Sequence, residues 1–291
     1  MTDSQPAADL AGVHQLYGEI WAEQNADFET EIAKSGNPRS PEVLFDYAAG
    51  LDVTDSSRLL DIGSRDAIHA IELVSRFGCQ VVAADPVPLH AELARKRLAG
   101  AGTEIAARIE LSDAAIEQLP FDDASFDLVW ARDMLNHVAL RPGIAECWRV
   151  LRPGAAMLVF QTFATPLMEP GESRRLYENH SIHAENMDQD HFEEVARSVG
   201  FAIDTHDPIT SEWREYAVES GNTDIGDCLM TIARMRRAEH DLVATYGRAL
   251  YEATIADHLW GVYWGVYLLL GKLSSSIYVL RKPAATGATH G

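Results

Sequence analysis

The chain has 291 residues, 47% of them hydrophobic, enough to bury a full core as one large domain or as a domain with a cap. Its 44 acidic residues outnumber 24 basic ones, and a formal net charge of −20 opposes the phosphate attraction that supplies most nucleic-acid affinity, which excludes DNA and RNA partners. Cys79, Cys147 and Cys228 lie far apart without CxxC spacing or histidine-rich neighbours, so no disulfide framework and no metal are expected, and a reducing cytoplasm fits.

The opening MTDSQPAADLAG lacks the basic region and apolar core of a signal peptide. Residues 1–50 carry no strand signal; Gly12 to Gln24 and Pro41 to Gly50 read as short helices, and the segment is expected to form an N-terminal helical lid. Beyond it, short apolar runs alternate with helical patterns, the mark of βαβ units and a parallel sheet. Strands are expected at Arg58 to Asp61, Gln80 to Ala84, Arg108 to Leu111, Phe126 to Trp130 and Ala155 to Phe160. The run AIHAIELVSRFG puts Ala67, Ala70, Ile71 and Val74 on one helix face and ends at Gly78, a C-terminal cap. DHFEEVARSVGF supplies a further helix, with Asp190 as N-cap, Glu193 three residues on, and Gly200 closing it before a strand from Phe201.

Ser211 to Leu273 is helical in character and precedes a last strand, SSIYVLRK. An insertion between two neighbouring strands must sit at one end of the sheet, so residues 211–273 are expected to form a helical cap on a core of 51–210 and 274–283. The tail, 284–291, is expected to be disordered. The longest apolar stretch, LWGVYWGVYLLLG, falls short of the roughly 20 residues that span a bilayer, and no membrane partner is expected.

The stretch RLLDIGSRDAIHA, residues 58–70, runs a buried strand into Asp61, Ile62 and Gly63 and then into a helix. Twenty-four residues after Asp61, QVVAADP ends its strand at Asp85. A glycine turn after one strand and an acid at the tip of the next is the arrangement in which a carboxylate accepts both ribose hydroxyls, which implies an adenosine-containing ligand. Nicotinamide dehydrogenases share this pairing. Arg65 and Ala67 stand where cofactor loops usually place a second and third glycine.

Further on, the chain reads LSDAAIEQLPFDDASFDLVWARDMLNHV and then ECWRVLRPGAAMLVFQTF. Over residues 58–163 it resembles the class I S-adenosylmethionine-dependent methyltransferases. The resemblance implies a Rossmann-like, mostly parallel sheet with an antiparallel last strand, S-adenosylmethionine as cofactor and S-adenosylhomocysteine as product. It also implies that Asp61, Gly63 and Ser64 lie under the methionine end of the cofactor, and that Asp85 and Pro86 lie at its ribose. Asp113 would accept from the adenine amino group beside Ala114, Arg132 would offer backbone to the methionine amino group, and Met134 would pack on the cofactor. The chain departs from the family's acid-x-Gly-x-Gly-x-Gly pattern at Arg65 and Ala67, and a side chain at a position requiring positive φ is strained.

The segment WARDMLNHV places Asp133 and His137 four residues apart, one turn of a helix, where the fourth strand ends. It resembles the Arg-Asp-x-x-x-His segment of phosphobase and other small-amine N-methyltransferases. In that family the acid holds a cationic amine while the histidine, helped by an N-terminal tyrosine, here Tyr17, removes its proton. His180 and His183, after the fifth strand, fall where acceptor-contacting loops sit. Trp260, Tyr263, Trp264 and Tyr267 form an aromatic stripe, either a helix packing on the sheet or, through Trp260 and Trp264, a wall of the acceptor pocket.

The resemblance therefore implies an enzyme that methylates a small organic molecule, an amine nitrogen ahead of oxygen or carbon, and the cysteine usage adds the expectation of a cytoplasmic location. A methyltransferase-fold protein that binds S-adenosylmethionine without methylating is the alternative. A nicotinamide dehydrogenase is weakened by the missing glycine fingerprint.

Overall fold

The structure, a computed structural model, describes residues 10–15, 26–36, 38–178 and 180–284. The chain divides into two compact units, Met1–Pro38 and Arg39–Gly291. In the first, the described residues form α1 (Leu10–His14) and α2 (Ala26–Ser35). Tyr17 lies outside the described residues.

The second unit opens with α3 (Val43–Gly50) and then alternates strand and helix: β1 (Arg58–Ile62), α4 (Ile68–Phe77), β2 (Gln80–Ala84), α5 (Pro88–Gly100), α6 (Thr103–Ala106), β3 (Ile109–Ser112) and β4 (Phe126–Arg132). It continues through α7 (Leu140–Val150), β5 (Leu151–Ala164), α8 (Pro170–Glu178), α9 (Gln189–Val199) and β6 (Ala202–Thr210). Four helices follow, α10 (Glu212–Glu219), α11 (Asp224–Arg237), α12 (Glu239–Tyr246) and α13 (Arg248–Leu269), before β7 (Leu273–Arg281).

The seven strands form one sheet in the order β3-β2-β1-β4-β5-β7-β6. β7 runs antiparallel to both β5 and β6, and the other pairs are parallel. The inner strands are covered on both faces, which is why they read as continuous apolar runs rather than as alternation. α3, α4 and α5 cover one face, through Phe45, Leu73 and Ala94 among others. α7 and α9 cover the other, through Ile144, Cys147 and Phe192. The chain moves outward from β1 to β3 on one side and from β4 to β5 on the other, so the ends of β1 and β4 flank a topological switch point, the usual seat of a ligand in such sheets.

One connection is not helical, and two local expectations differ from what is observed. Residues 113–125, between β3 and β4, carry no helix. They are fastened instead by α7: Glu146 accepts from Leu119 N at 2.9 Å, and Arg149 donates to the carbonyls of Leu119 and Phe121. β5 begins at Leu151, four residues earlier than expected, and takes Gly154 at φ 83 into the strand. The N-cap of α9 is Asp188, whose carboxylate accepts from His191 N at 3.1 Å; Asp190 lies inside the first turn.

That last difference is directly testable. Asp188→Ala should destabilise the protein by about 1 kcal/mol in urea unfolding, whereas Asp190→Ala should change it by a few tenths at most, roughly the cost of a weakened dipole contact. Equal losses at the two positions would contradict the cap assignment.

Candidate active site

At the switch point the strand ends line a cavity of about 560 Å³. It brings together Gly63, Ser64, Asp85, Pro86, Ala114, Arg132, Asp133, Met134 and His137 from the sequence-derived set. Asp61 sits behind this wall at the end of β1. Asp113 is exposed and lines an adjoining recess with Ser64, Arg65 and Asp85.

The turn after β1 fixes the geometry. Gly63 has φ 69, and a Cβ there would come within 2.8 Å of Met134 Cγ, so the turn and Met134 touch without room for a side chain. Arg65 and Ala67 also hold left-handed conformations, at φ 49 and φ 60. The backbone thus follows the path that glycines favour, with residues that do not favour it. The Arg65 side chain is exposed while its backbone N donates to Asp85 Oδ2 at 3.0 Å. Asp85 Oδ1 accepts from Val87 N at 3.0 Å and pairs with His90 Nδ1 at 2.9 Å. His90 also lines the cavity, and the sequence offered no signal for it beyond a histidine early in a helix.

Asp61 is 2% exposed, and its Oδ2 has no hydrogen-bond partner among the described residues. Burial, and then the nearby Asp85 carboxylate, push its pKa up to about 8, with the backbone N–H of Ala70 in α4 and the Arg132 charge opposing. On the same sheet face, Arg132 Nη1 donates to His69 Nε2 at 2.7 Å. Burial, and then the Arg132 charge, hold His69 down to about 4. His69 is therefore neutral near pH 7, with its ring proton on Nδ1.

The strand-to-helix geometry expected for Asp133 and His137 is absent. Asp133 takes φ 51, its N donates to Phe160 O at 2.7 Å, and Oδ1 accepts from Thr162 N at 3.1 Å. Burial pushes its pKa up, opposed by hydrogen bonding from Thr162 and by the Arg132 charge. Leu135–His137 is a 3-10 turn, not an α-helical one, and His137 is exposed to the cavity. Asn186, buried at 3% exposure, clamps that turn by donating to Leu135 O at 2.7 Å and Val138 O at 2.8 Å. Neither the clamp nor its residue was legible in the sequence.

His180 lies close enough to His137 for the charge on one to bear on the other. Its Nδ1 donates to Leu176 O at 2.7 Å, leaving Nε2 as an acceptor, and burial lowers its pKa. Its ring centroid is 4.8 Å from that of Trp260, whose buried Nε1 has no partner among the described residues. Trp264 stacks beneath Trp260 and packs with Leu176 and Met187, so it belongs mainly to the core. His183 is exposed and contributes its backbone N to Asn136 O. Among the described residues no group of three or more metal-ligating side chains is found, and no helix is long and apolar enough to cross a membrane.

Residues 60–159 match a protein family described as a methyltransferase domain. The sarcosine/dimethylglycine N-methyltransferase of Halorhodospira halochloris is 30% identical over 158 residues, covering 54% of this chain and 55% of that protein. The 27-O-demethylrifamycin SV methyltransferase of Amycolatopsis mediterranei is 31% identical over 166 residues, covering 55% and 56%. The chain thus spans about half the length of these curated relatives, and 22% of a longer glycine/sarcosine/dimethylglycine N-methyltransferase. Phosphoethanolamine N-methyltransferase 2 of Haemonchus contortus, solved with phosphomonomethylethanolamine and S-adenosylhomocysteine, shares the fold at TM-score 0.62 and 18% identity, over 85% of this chain and 54% of that one.

Two predictions follow from the turn and the buried acid. Arg65→Gly relieves a left-handed side-chain residue at some cost in unfolded-chain entropy, so it should stabilise the protein by up to about 1 kcal/mol in urea unfolding. For Asp61, the folded pKa of about 8 lies above the ordinary 3.8, so between them the folded state keeps a proton that the unfolded state has lost. Stability of the ligand-free protein should therefore fall as pH rises from about 4 to about 8, and Asp61→Asn should flatten that fall. Parallel pH profiles for the two proteins would contradict the assignment.

Proposed function

We propose that the chain, whose residues 60–159 match a methyltransferase domain, transfers a methyl group from S-adenosylmethionine to a small organic acceptor, with an amine nitrogen ahead of oxygen or carbon. The residues present fit the cofactor. The unpartnered Asp61 oxygen calls for a cationic donor, Gly63 lines the cavity without a side chain, and Asp85 sits just past the end of β2 where a ribose carboxylate belongs. Asp61, Gly63 and Ser64 would hold the methionine end, Asp85 and Pro86 the ribose, Asp113 and Ala114 the adenine, and Met134 the face of the bound molecule. When bound, S-adenosylmethionine supplies a methyl group on a positively charged sulfur.

What the protein's own residues contribute is alignment and a proton acceptor. In-line displacement on carbon draws most of its acceleration from positioning, which the clamped turn Leu135–His137 and the rigid strand ends provide. An ammonium acceptor has no lone pair to donate until it loses a proton. His137 would take that proton, and Asp133 and the face of Trp260 would favour the cationic acceptor before transfer. The observation that carries the amine preference is Asp133, a half-buried carboxylate in the same cavity wall as His137. Helix α13, of the proposed acceptor cap α10–α13, sets Trp260 against His180, which follows α8. Tyr17 is proposed as the histidine's helper on the family resemblance alone.

One observation favours a second reading. Two side chains at left-handed positions in the cofactor turn cost about 1 to 2 kcal/mol each, which suits a protein that binds the cofactor weakly or for another purpose than methylation.

Kinetics with a panel of small amines separate the two. His137→Asn should lower kcat by roughly 10²- to 10⁴-fold, the usual share of general-base catalysis, with S-adenosylhomocysteine affinity by calorimetry almost unchanged. Asp133→Asn should act mainly on KM for the amine, since it removes binding made in both ground and transition states. A near-full rate in the His137 variant would move the proposal to an acceptor that needs no base. Turnover of no amine, phenol or carbon acid, with tight cofactor binding, would favour the second reading.

A further inference from the structure

Arg132 has no ion-pair partner among the described residues. Its guanidinium carries five donors, of which Nη1 is pinned by His69 Nε2 at 2.7 Å. Asp61 and Asp133 act on it through space, but no ion pair joins it to a carboxylate among the described residues. Its other near neighbours are apolar faces: Cζ lies 5.6 Å from the Trp213 ring centroid and 6.0 Å from that of Phe160, and those two rings stack on each other at 3.9 Å. Removing an arginine from water in such surroundings is costly, and the group cannot escape by losing its proton. The side chain nevertheless lines the cavity, held in place by a neutral histidine that accepts without neutralising it.

Its position narrows what completes it. β1 and β4 pair with Asp61 opposite Trp130 and Ile62 opposite Ala131. Leu128 and Trp130, alternate residues of β4 like Arg132, lie with Leu59 in the cluster beneath α3 and α4, and Asp61 is the next alternate residue of β1. The Asp61 carboxyl and the Arg132 guanidinium therefore face the start of α4 from neighbouring strand ends, one with an oxygen that has no hydrogen-bond partner and the other with no ion-pair partner among the described residues. Each lacks what the opposite end of an α-amino acid provides: an ammonium for Asp61, a carboxylate for Arg132.

We propose that the Arg132 side chain, oriented by His69, binds the carboxylate at the methionine end of the cofactor while Asp61 takes its ammonium. This rests on the cofactor reading above and adds to it a side-chain role for Arg132, of which the family resemblance implied only the backbone. The recognised chemistry is a carboxylate, and a carboxylate on the acceptor is the other source it could have. His69 is a positioning residue: it fixes the planar fork and contributes no charge.

Two ligands isolate the group. S-adenosylhomocysteine carries the amino-acid end, and 5′-methylthioadenosine lacks it while keeping the nucleoside. By calorimetry, Arg132→Met should weaken S-adenosylhomocysteine about 10- to 150-fold, the worth of hydrogen bonds to a charged group, and 5′-methylthioadenosine by less than about threefold. Arg132→Lys, which keeps charge but not the fork, should fall between wild type and Arg132→Met. His69→Gln, which can still accept from Nη1, should retain more S-adenosylhomocysteine affinity than His69→Leu.

Loss of both ligands alike in Arg132→Met would mean a structural role and overturn the inference. Unchanged affinity for both, with a raised KM for a carboxylate-bearing acceptor, would overturn it by assigning the guanidinium to the acceptor. A wild-type protein that binds neither ligand would overturn the cofactor reading itself and this inference with it.

Discussion

The turn between β1 and α4 is the constraint on which the cavity depends. A strand buried on both faces ends at Ile62, and a helix must start at Ile68, so the backbone has five residues in which to reverse its exposure. It does so through three left-handed positions, Gly63, Arg65 and Ala67. Only the first is a glycine, and only there would a side chain collide, with Met134. At the other two the cost is torsional, and the hydrogen bond from Arg65 N to Asp85 together with the complete burial of Ala67 oppose it. The missing glycines have changed the energy of the turn without changing its path.

That path sets the electrostatics. Asp85 enters the site already satisfied by two backbone N–H groups and His90, whereas Asp61, one strand over, keeps an oxygen with no hydrogen-bond partner among the described residues in a low dielectric. Two carboxylates at adjacent strand ends repel, and that repulsion adds to burial in pushing the Asp61 pKa up. The ligand-free site thus holds an acid that prefers its proton and, through Arg132, a cation that cannot shed one. A ligand with both charges relieves both at once, which makes affinity for a zwitterionic end a property of the strand ends themselves.

The sheet was legible because burial on two faces writes itself into sequence as apolar runs, and the turns between those runs carry glycine and aspartate. All seven strands fall where their runs placed them, to within a few residues. Failures came where a conformation is chosen by tertiary partners. Residues 113–125 are held by Glu146 and Arg149 on α7, and no local periodicity reports that. Asp190 with Glu193 three residues on fits the capping pattern, yet Asp188 serves, because the 3-10 turn Ala184–Met187 sets where the helix begins. The four-residue spacing of Asp133 and His137 suggested a helical turn, but Phe160 and Thr162 of β5 draw Asp133 into a left-handed conformation first. Of the site, the acids and the glycine at strand ends were readable; His69, His90 and Asn186 were not, because their roles come from neighbours far away in the chain.

The two ends of the cavity are consequently built by different parts of the molecule. Strand ends fix Asp85, Arg132 and Asp133 through the register of β1, β2, β4 and β5. His137 instead sits on a turn whose carbonyls are held by Asn186, and the neighbouring Met187 packs with Trp264, Tyr267 and Leu268 of α13. A change in α13 can therefore move His137 through Met187 and Asn186 while leaving Asp85 and Gly63 where they are. The matched stretch, residues 60–159, ends before Asn186 and excludes α13 altogether. Variation in α13 and in the Asn186 clamp can thus reshape one end of the cavity while the strand ends keep the other, so a shared fold does not by itself fix what the site accepts.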